Sequence, residues 1–296
     1  IRVAVVHPVD ADAMRAAAEA AEKGLIEPVL IGPRQRILQA AAEVAALDGV
    51  AIPNWDIIDT PHSHAAAEKA VELAALGRVD ALMKGALHTD ELLHSVVAAS
   101  SGLRTERRAS HAYVLDAPTY HKPLIITDAA VNIAPDLTAK ADICRNAIDL
   151  WRSLFGKDRK PKVAILSAVE TVTPAMPSTV DAAALCKMAE RGQIQGATLD
   201  GPLAYDNIIN RQAAIDKGIA SDVAGDADIV VVPNIETGNA LAKQLIYLGQ
   251  ANAAGIVLGA RVPIILTSRA DSVRTRLLSC VAALYLAQAR RRGDIK

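Results

Sequence analysis

The sequence predicts an α/β fold of the doubly wound type, in which helices cover both faces of a parallel sheet. The first observation is that short β-branched runs alternate with Ala-rich segments along the chain. The runs are apolar throughout, so both faces of each strand are expected to be buried. The segments between them carry apolar residues at i, i+3 and i+4 and end in Gly, which is typical of helices. Alternation of these two patterns indicates an α/β domain.

The predicted strands are spread over almost the whole chain. They are RVAVV (2–6), PVLIG (28–32), DALMKG (80–85), AYVL (112–115), PLIIT (123–127), KVAIL (162–166), DIVVVP (228–233), GIVLG (255–259) and VPIILT (262–267). Most of the intervening stretches are helical segments such as DADAMRAAAEAAEKG and SHAAAEKAVELAALG. A chain of 296 residues can form one large or two medium domains of this kind.

Composition narrows the class of function. The formal net charge is only −1, which argues against nucleic acid or an anionic membrane as the partner. No window approaches the apolar length of a membrane span, and the first residues lack the features of a signal peptide, so we expect a cytoplasmic protein. Because the first residue is Ile rather than Met, we expect a trimmed start or a longer natural chain.

The three cysteines predict no metal site. Cys144, Cys186 and Cys280 lie far apart in helical patterns, and none has a Cys or His neighbour at the spacing of a metal site. We expect them to be small buried side chains in a reducing compartment. His62 and His64 could be read as metal ligands, but no carboxylate is spaced with them, and a solvated helix start is the preferred interpretation.

Polar residues follow five of the predicted strands. In a doubly wound sheet, ligands bind outside the carboxyl ends of the strands, so these residues are the ones to examine. The five segments are KGALHTDE, DAAVNIAPDLT, SAVETVTPAMPST, NIETGNALAK and TSRADS. The chain has no motif of a P-loop, a Rossmann dinucleotide site, a serine hydrolase or a zinc protease.

Two of these segments predict an anion site. In TSRADS, the hydroxyls of Thr267 and Ser268, the Arg269 guanidinium and the first N–H groups of a helix could converge on one phosphate. Each segment alone could equally be an ordinary helix cap. Two such turns in one chain favour a small phosphorylated substrate or phosphate itself. The second turn contributes Lys84, Gly85, His88 and Thr89, and the weaker NIETGNALAK turn contributes Glu236, Thr237, Asn239 and Lys243.

Taken together, the motifs resemble a known family. The blocks DALMKGALHTDELL, TDAAVNIAPDLTAKADI, AILSAVETVTPAMPST, LDGPLAYDNII and VVVPNIETGNALAKQLIYLGQANAAGIVLGARVPIILTSRADS look like successive blocks of the phosphate acetyltransferase and phosphate butyryltransferase family. The resemblance runs in order from about residue 79 to residue 285, and the earlier part of the chain fits in pattern only.

The resemblance implies a fold and an assembly. It implies two α/β domains of the isocitrate and isopropylmalate dehydrogenase type with a cleft between them, the first formed by 1–118 plus 260–296 and the second by 119–259. It also implies a homodimer that converts acyl-CoA and phosphate to acyl phosphate and CoA, with coenzyme A as substrate and without cofactor, metal or covalent intermediate.

The resemblance also implies roles for single residues. Arg269 would hold the phosphate end and Ser268 would lie near the reacting carbonyl. From the pattern of polar strand ends, and not from the resemblance, we expect phosphate or the acyl group to be bound by Lys84, Gly85, His88, Thr89, Thr267, Asn239 and Lys243. Acetyltransferase members carry an acidic residue seven positions after the Ser, where this chain has Thr275. Asp271, or a group elsewhere in the cleft, would then have to be the base that deprotonates the CoA thiol. The cysteine that the family has near the site is replaced by Ala129.

Two other functions stay open at this point. A metal- and NAD-dependent dehydrogenase on the same fold would need a cluster of carboxylates, and the D-x-x-x-D spacing on the late helix is absent. A CoA- or acyl-phosphate-binding module that has lost its base is kept open by Thr275. The motif SRADS is more similar to the motif of the butyryltransferases than to that of the acetyltransferases. The length of the acyl chain, from acetyl to butyryl, is therefore also open.

Overall fold

A computed structural model describes residues 1–49, 53, 55–267 and 271–295. The strands within these ranges are β1 (Arg2–Val6), β2 (Glu27–Gly32), β3 (Asp56–Asp59), β4 (Ala81–Lys84), β5 (Ser110–Asp116), β6 (Leu124–Thr127), β7 (Lys162–Leu166), β8 (Thr198–Leu203), β9 (Ile229–Val231), β10 (Asn252–Leu258) and β11 (Ile264–Ile265). The α/β fold class is therefore confirmed, and each of the nine predicted runs contains a strand.

Helices connect most of the strands. The helices within the described ranges are α1 (Ala11–Glu22), α2 (Arg34–Asp48), α3 (Ser63–Ala75), α4 (Thr89–Val97), α5 (Leu137–Phe155), α6 (Pro177–Glu190), α7 (Tyr205–Ile209), α8 (Arg211–Asp216), α9 (Ile235–Tyr247) and α10 (Val273–Arg291). Several begin at the short polar residues that cap helices. Asp10, Asp136, Asn234 and Ser272 each accept a hydrogen bond from a backbone N–H in the first turn that follows.

The chain divides into two compact units. Unit 1 consists of Ile1–Arg107 and Ala254–Asp294, and unit 2 of Arg108–Ala253. The predicted boundaries at 118/119 and 259/260, and the predicted cleft, stay predictions.

In unit 1 the strand order is β3-β2-β1-β4-β11-β10. All neighbours are parallel except β10 and β11. Four consecutive residues of β1, Val3 to Val6, are completely buried, so the central strand is covered on both faces. Helix α1 packs against α2 and α10, and α3 packs against α4, β1 and β2.

In unit 2 the strand order is β5-β6-β9-β7-β8. Here β5 and β6 are antiparallel and the other neighbours are parallel. The predicted parallel pairing therefore holds for most neighbours, and each unit also contains one antiparallel pair. The connections 117–123 and 259–263 are too short for a parallel crossover, which needs a dozen or more residues. The core of unit 2 is aliphatic and includes Leu115, Ile126, Leu203 and Val230.

None of the helices in the described ranges combines the length and the hydrophobicity that a membrane span requires.

Candidate functional site

The carboxyl ends of three strands of unit 1 meet beside a small pocket. Strand β1 is in parallel register with β4, where Val6 pairs with Lys84, and β4 is in parallel register with β11. The residues that follow these strands therefore lie at one edge of the sheet. The pocket is lined by Asp10, Asp12, Ala13, Ala16, Lys84, Gly85, Thr267 and Arg276.

Three of the predicted site residues, Lys84, Gly85 and Thr267, thus surround one pocket. The Gly85 N–H donates to the Val6 carbonyl (2.9 Å). A Cβ on Gly85 would lie 2.8 Å from the His7 carbonyl oxygen and still closer to the Val6 carbonyl oxygen. Only glycine therefore allows the chain after β4 to lie against the end of β1, and this packing places Lys84 at the pocket.

A buried arginine that the sequence interpretation missed also lines this pocket. Arg276 lies in the second turn of α10 with 7% of its surface exposed, and its Nη1 donates to the Asp12 carbonyl (3.2 Å). Burial raises the pKa of nearby Glu19, and the positive charge of Arg276 opposes that rise. Asp10 and Asp12, from the start of α1, were missed as well. Two cations, a hydroxyl and the start of a helix would attract an anion, whereas the carboxylates of Asp10 and Asp12 in the same lining would repel it.

The start of α10 fixes the environment of Thr275. Ser272 is the N-cap, and its Oγ accepts from the Thr275 N–H (3.1 Å) and lies 3.1 Å from the Thr275 hydroxyl. The side chain of Thr275 is buried, and its carbonyl accepts from the hydroxyl of Ser279 (2.8 Å). Thr275 therefore has a structural role as part of the cap. Asp271, half-buried, immediately precedes Ser272.

The central pair of the prediction, Ser268 and Arg269, lies outside the described residues. Of the predicted turn after β4, only Lys84 and Gly85 line the pocket. His88 is the exposed residue before α4 and makes no cap hydrogen bond, and Thr89 is the first residue of that helix. Neither of them lines the pocket around Lys84, Gly85 and Thr267.

In unit 2, the loop after β6 is organised by one buried carboxylate. Asp128 accepts from the backbone N–H groups of Ala130 (2.9 Å), Val131 (3.0 Å) and Asn132 (3.1 Å). It also accepts from the side-chain amide of Asn132 (2.6 Å). Asp128 is only 1% exposed, so these four donors replace the water that a carboxylate would otherwise require.

This loop orients an arginine. The Asn132 side-chain oxygen accepts from Nε of Arg108, and its amide also donates to the Ala109 carbonyl (2.8 Å). Arg108 is exposed and was not among the predicted residues. Its signal in the sequence is weak, because it lies in the charged run TERR at the start of β5 rather than at the carboxyl end of a parallel strand.

The start of α9 packs against the same loop. The Asn239 amide donates to the Ala129 carbonyl (3.1 Å), and a Cβ on Gly238 would overlap the Asp128 carbonyl oxygen. Because β6 and β9 are parallel neighbours, the predicted turns after these two strands meet at one edge of unit 2. Of the predicted residues here, Asn239 is half-buried at this contact and Lys243 is exposed one turn later on α9.

The histidine interpretation needs one correction. His62 is the N-cap of α3, and its Nδ1 accepts from the Ala65 N–H (3.2 Å), as expected for a helix start. His64, however, has a carboxylate partner, because its Nδ1 lies 2.8 Å from Glu91. The partner was missed because it lies on α4, which packs against α3. No group of three or more potential metal ligands occurs in the part of the chain that the structure describes. The absence of a metal from the reaction stays a prediction.

The cysteines are not poised as nucleophiles. Cys144 and Cys280 are buried, Cys186 is half-buried, and all three are free thiols. Burial raises the pKa of each to about 12, so the reactive thiolate is scarce at neutral pH.

Comparison with known proteins identifies the family. The family model described as phosphate acetyl/butaryl transferase matches residues 59–284. The chain belongs to this family. Within the family, a phosphate acetyltransferase of Rhizobium meliloti is 60% identical over 97% of this chain and 89% of the relative. The predicted family is thereby confirmed, and this member of it is a transferase enzyme.

Solved structures agree with the fold. A branched-chain phosphotransacylase from Enterococcus faecalis V583 aligns with a TM-score of 0.82 at 29% identity, covering 97% of this chain and 99% of the other. A 4-hydroxythreonine-4-phosphate dehydrogenase from Burkholderia phymatum aligns with a TM-score of 0.55 at 16% identity, covering 96% and 97%. The second likeness concerns the fold alone, which this chain shares with that dehydrogenase.

Proposed function

We propose that the protein catalyses the reversible transfer of a short acyl group between coenzyme A and inorganic phosphate. The observation that carries this proposal is the 60% identity, over nearly the full length of both chains, to a relative named phosphate acetyltransferase. The pocket at the carboxyl ends of β4 and β11 supports it, because its cations and hydroxyl suit phosphate.

In this proposal, phosphate binds beside Lys84, Thr267 and Arg276. Lys84 and Arg276 would each attract the phosphate, the buried position of Arg276 would strengthen that interaction, and the carboxylates of Asp10 and Asp12 would weaken it. The family resemblance adds Ser268 near the acyl carbonyl and Arg269 on the phosphate, both immediately after Thr267 in the chain.

We propose a direct transfer within a ternary complex. In the direction of acyl-CoA synthesis, the CoA thiolate attacks the acyl phosphate carbonyl and an S–C bond forms. The tetrahedral oxyanion then collapses, the C–O bond to phosphate breaks, and the leaving phosphate takes the electron pair. Cations and backbone N–H groups stabilise both negative charges. The high pKa values of the three thiols support a route without a cysteine acyl intermediate.

We propose Asp271 as the group that accepts the thiol proton. Thr275 has no basic side chain, and its hydroxyl lies against Ser272 in the cap. Asp271→Asn should lower kcat with little change in the KM for phosphate, because the amide keeps the shape but cannot take a proton. Thr275→Ser should keep the cap and most of kcat. Equal kcat in Asp271→Asn and the wild type would exclude this role.

The relatives favour acetyl as the acyl group. The relative named phosphate acetyltransferase is 60% identical, whereas the structure named branched-chain phosphotransacylase is 29% identical. We therefore expect kcat/KM to be highest for acetyl-CoA, and lower for propionyl- and butyryl-CoA.

The test of the function is phosphate-dependent release of CoA from these three thioesters, followed with a thiol reagent. Arg269→Ala should reduce release strongly, because it would remove the predicted phosphate contact. The matched control is Arg191→Ala, because Arg191 is an exposed residue at the end of α6 and is not among the predicted site residues. No turnover with any thioester would contradict the proposal and favour a non-catalytic CoA-binding module. Mg²⁺-dependent reduction of NAD would instead support a dehydrogenase.

Isotope exchange tests the ternary complex separately. With acetyl-CoA and labelled CoA but no phosphate, a direct mechanism predicts no exchange of label. A covalent acyl-enzyme would exchange label without phosphate, which would contradict the direct mechanism while leaving the overall reaction intact.

We also propose that the enzyme is a cytoplasmic homodimer that needs no cofactor, as the family resemblance implies. Light scattering coupled to size-exclusion chromatography should give twice the chain mass of 31.1 kDa, and a monomer mass would contradict the proposal.

A further inference from the structure

Unit 1 contains a second pocket that the acyl-transfer proposal does not use. Its volume is about 460 Å³, within the range of pockets that bind small molecules. It lies beside the edge strand β3 and the end of α3. The residues that line it are Arg2, Val29, Arg34, Trp55, Asp56, Ile57, Ile58, Leu73, Arg78 and Val79.

The pocket is cationic. Among the described residues that line it, three are arginines and only Asp56 is acidic. Arg2 is neutralised in part by Asp56 (2.9 Å) and Glu27 (3.7 Å). Arg34 uses one of its five donors on the Ile57 carbonyl (3.0 Å), and the Arg78 side chain makes no hydrogen bond or ion pair with the described residues. Two guanidinium groups therefore keep donors for a ligand oxyanion.

The lining of the same pocket also includes an aromatic residue. Trp55 is half-buried in its wall, next to Ile57 and Ile58 of the edge strand. An indole can stack on a planar ring such as a nucleobase, and a guanidinium fork matches the geometry of phosphate oxygens. We propose that this pocket binds a nucleoside phosphate, with the base against Trp55 and the phosphate on Arg34 and Arg78.

The pocket is separate from the site beside Lys84. Arg2 begins β1, Asp56 begins β3 and Val79 precedes β4, so most of the lining lies at the amino ends of the strands. Arg34 follows the carboxyl end of β2, and its side chain reaches back to the Ile57 carbonyl near the start of β3. Lys84 and Thr267 follow the carboxyl ends. At about 3.3 Å per residue, the length of β1 alone separates Arg2 from Val6 by about 13 Å. A ligand in this pocket would thus leave the catalytic pocket of unit 1 accessible to phosphate.

Tryptophan fluorescence provides a local test, because the chain has only two tryptophans. The other one, Trp151, is buried in α5 of unit 2 and can be replaced by Phe. In Trp151→Phe, the remaining emission comes from Trp55. Titration with AMP should change this emission saturably, and the change should persist when acetyl phosphate, which carries no nucleotide, saturates the enzyme.

Variants and simpler ligands separate the parts of the proposal. Arg78→Gln should weaken AMP binding by at least about tenfold, since a hydrogen bond to a charged group is lost. Arg191→Gln, on the surface of unit 2, should bind AMP like the parent protein. Adenosine and inorganic phosphate should each bind at least about tenfold more weakly than AMP, because each makes only part of the contacts.

Several results would overturn the proposal. One is a Trp55 emission that does not change when AMP is added. Another is an affinity for AMP that is the same in Arg78→Gln and in the parent protein. Equal affinities for AMP and inorganic phosphate would overturn the nucleoside part, and loss of the response with acetyl phosphate would assign the signal to the acyl-transfer site. Because Arg78 is exposed, its variant should keep the parent's thermal midpoint, so that a loss of binding reports on the ligand contact.

Discussion

Replacement of Gly85 by alanine should both destabilise unit 1 and damage the proposed phosphate site. The added Cβ would lie 2.8 Å from the His7 carbonyl oxygen and 2.9 Å from its carbonyl carbon. These are backbone atoms at the end of a buried strand, so they cannot move aside as a flexible side chain would. Overpacking of this kind typically costs about 1–3 kcal/mol, and the rigid neighbours place Gly85→Ala in the upper half of that range.

The assay is urea unfolding of Trp151→Phe followed by the emission of Trp55, which reports on unit 1. Gly77→Ala is the matched control, because Gly77 has a φ of +66° and nothing within 4 Å of its Cβ position. It should cost only about 1 kcal/mol, from backbone conformation alone. The KM for phosphate should rise in Gly85→Ala and not in Gly77→Ala. A free energy of unfolding for Gly85→Ala within about 0.5 kcal/mol of the parent would refute the packing argument.

Two further predictions concern stability. Ser272→Ala should lower the free energy of unfolding by about 1 kcal/mol, because the N-cap to Thr275 is lost. Ser153→Ala, in which the hydroxyl only bonds back to the preceding turn of α5, should be nearly neutral in the same thermal melts, and equal losses would contradict the cap assignment. Burial lowers the pKa of His111 from 6.5 to about 4, so the unfolded chain binds a proton more readily than the folded one. The contribution of His111 to the free energy of unfolding should therefore be complete above about pH 6.5, and up to about 3 kcal/mol of it should be lost as the pH drops toward 4. His111→Phe should flatten this limb of the pH profile, and an unchanged slope would show that another group causes it.

The strands that the sequence revealed are the buried ones. The completely buried run of β1 could be read directly, because a strand covered on both faces must be apolar throughout. Strands β3 and β8 were missed, and each lies at an outer edge of its unit's sheet order. Edge strands tolerate charges, glycine and proline, so DIID and TLDGPL lack the apolar pattern.

Strand direction was predictable from a different signal. An apolar pattern does not distinguish a parallel from an antiparallel neighbour, whereas the length of the connection does. The short links after β5 and β10 indicate antiparallel pairs, and this is what the structure contains.

The site was only partly predictable because its residues come from distant parts of the chain. Lys84, Gly85 and Thr267 follow strands, so their approach follows from the rule that ligands bind at the carboxyl ends. Arg276 could not be found in this way, since it lies within a helix and its burial depends on how α10 packs against α1. Arg108 was equally hidden, because the hydrogen bond that it donates to Asn132 depends on the fold of the loop after β6, which the charged run TERR does not reveal.

The most direct test of the account measures CoA release from acetyl-CoA as a function of phosphate concentration, in the wild type and in Lys84→Met. The matched control is Lys69→Met, because Lys69 lies on the surface of α3 and pairs only with Glu72. We expect phosphate-dependent release in the wild type, a KM for phosphate raised at least about tenfold in Lys84→Met, and an unchanged KM in Lys69→Met. A KM for phosphate in Lys84→Met equal to that of the wild type would contradict the placement of the phosphate site at this edge of unit 1.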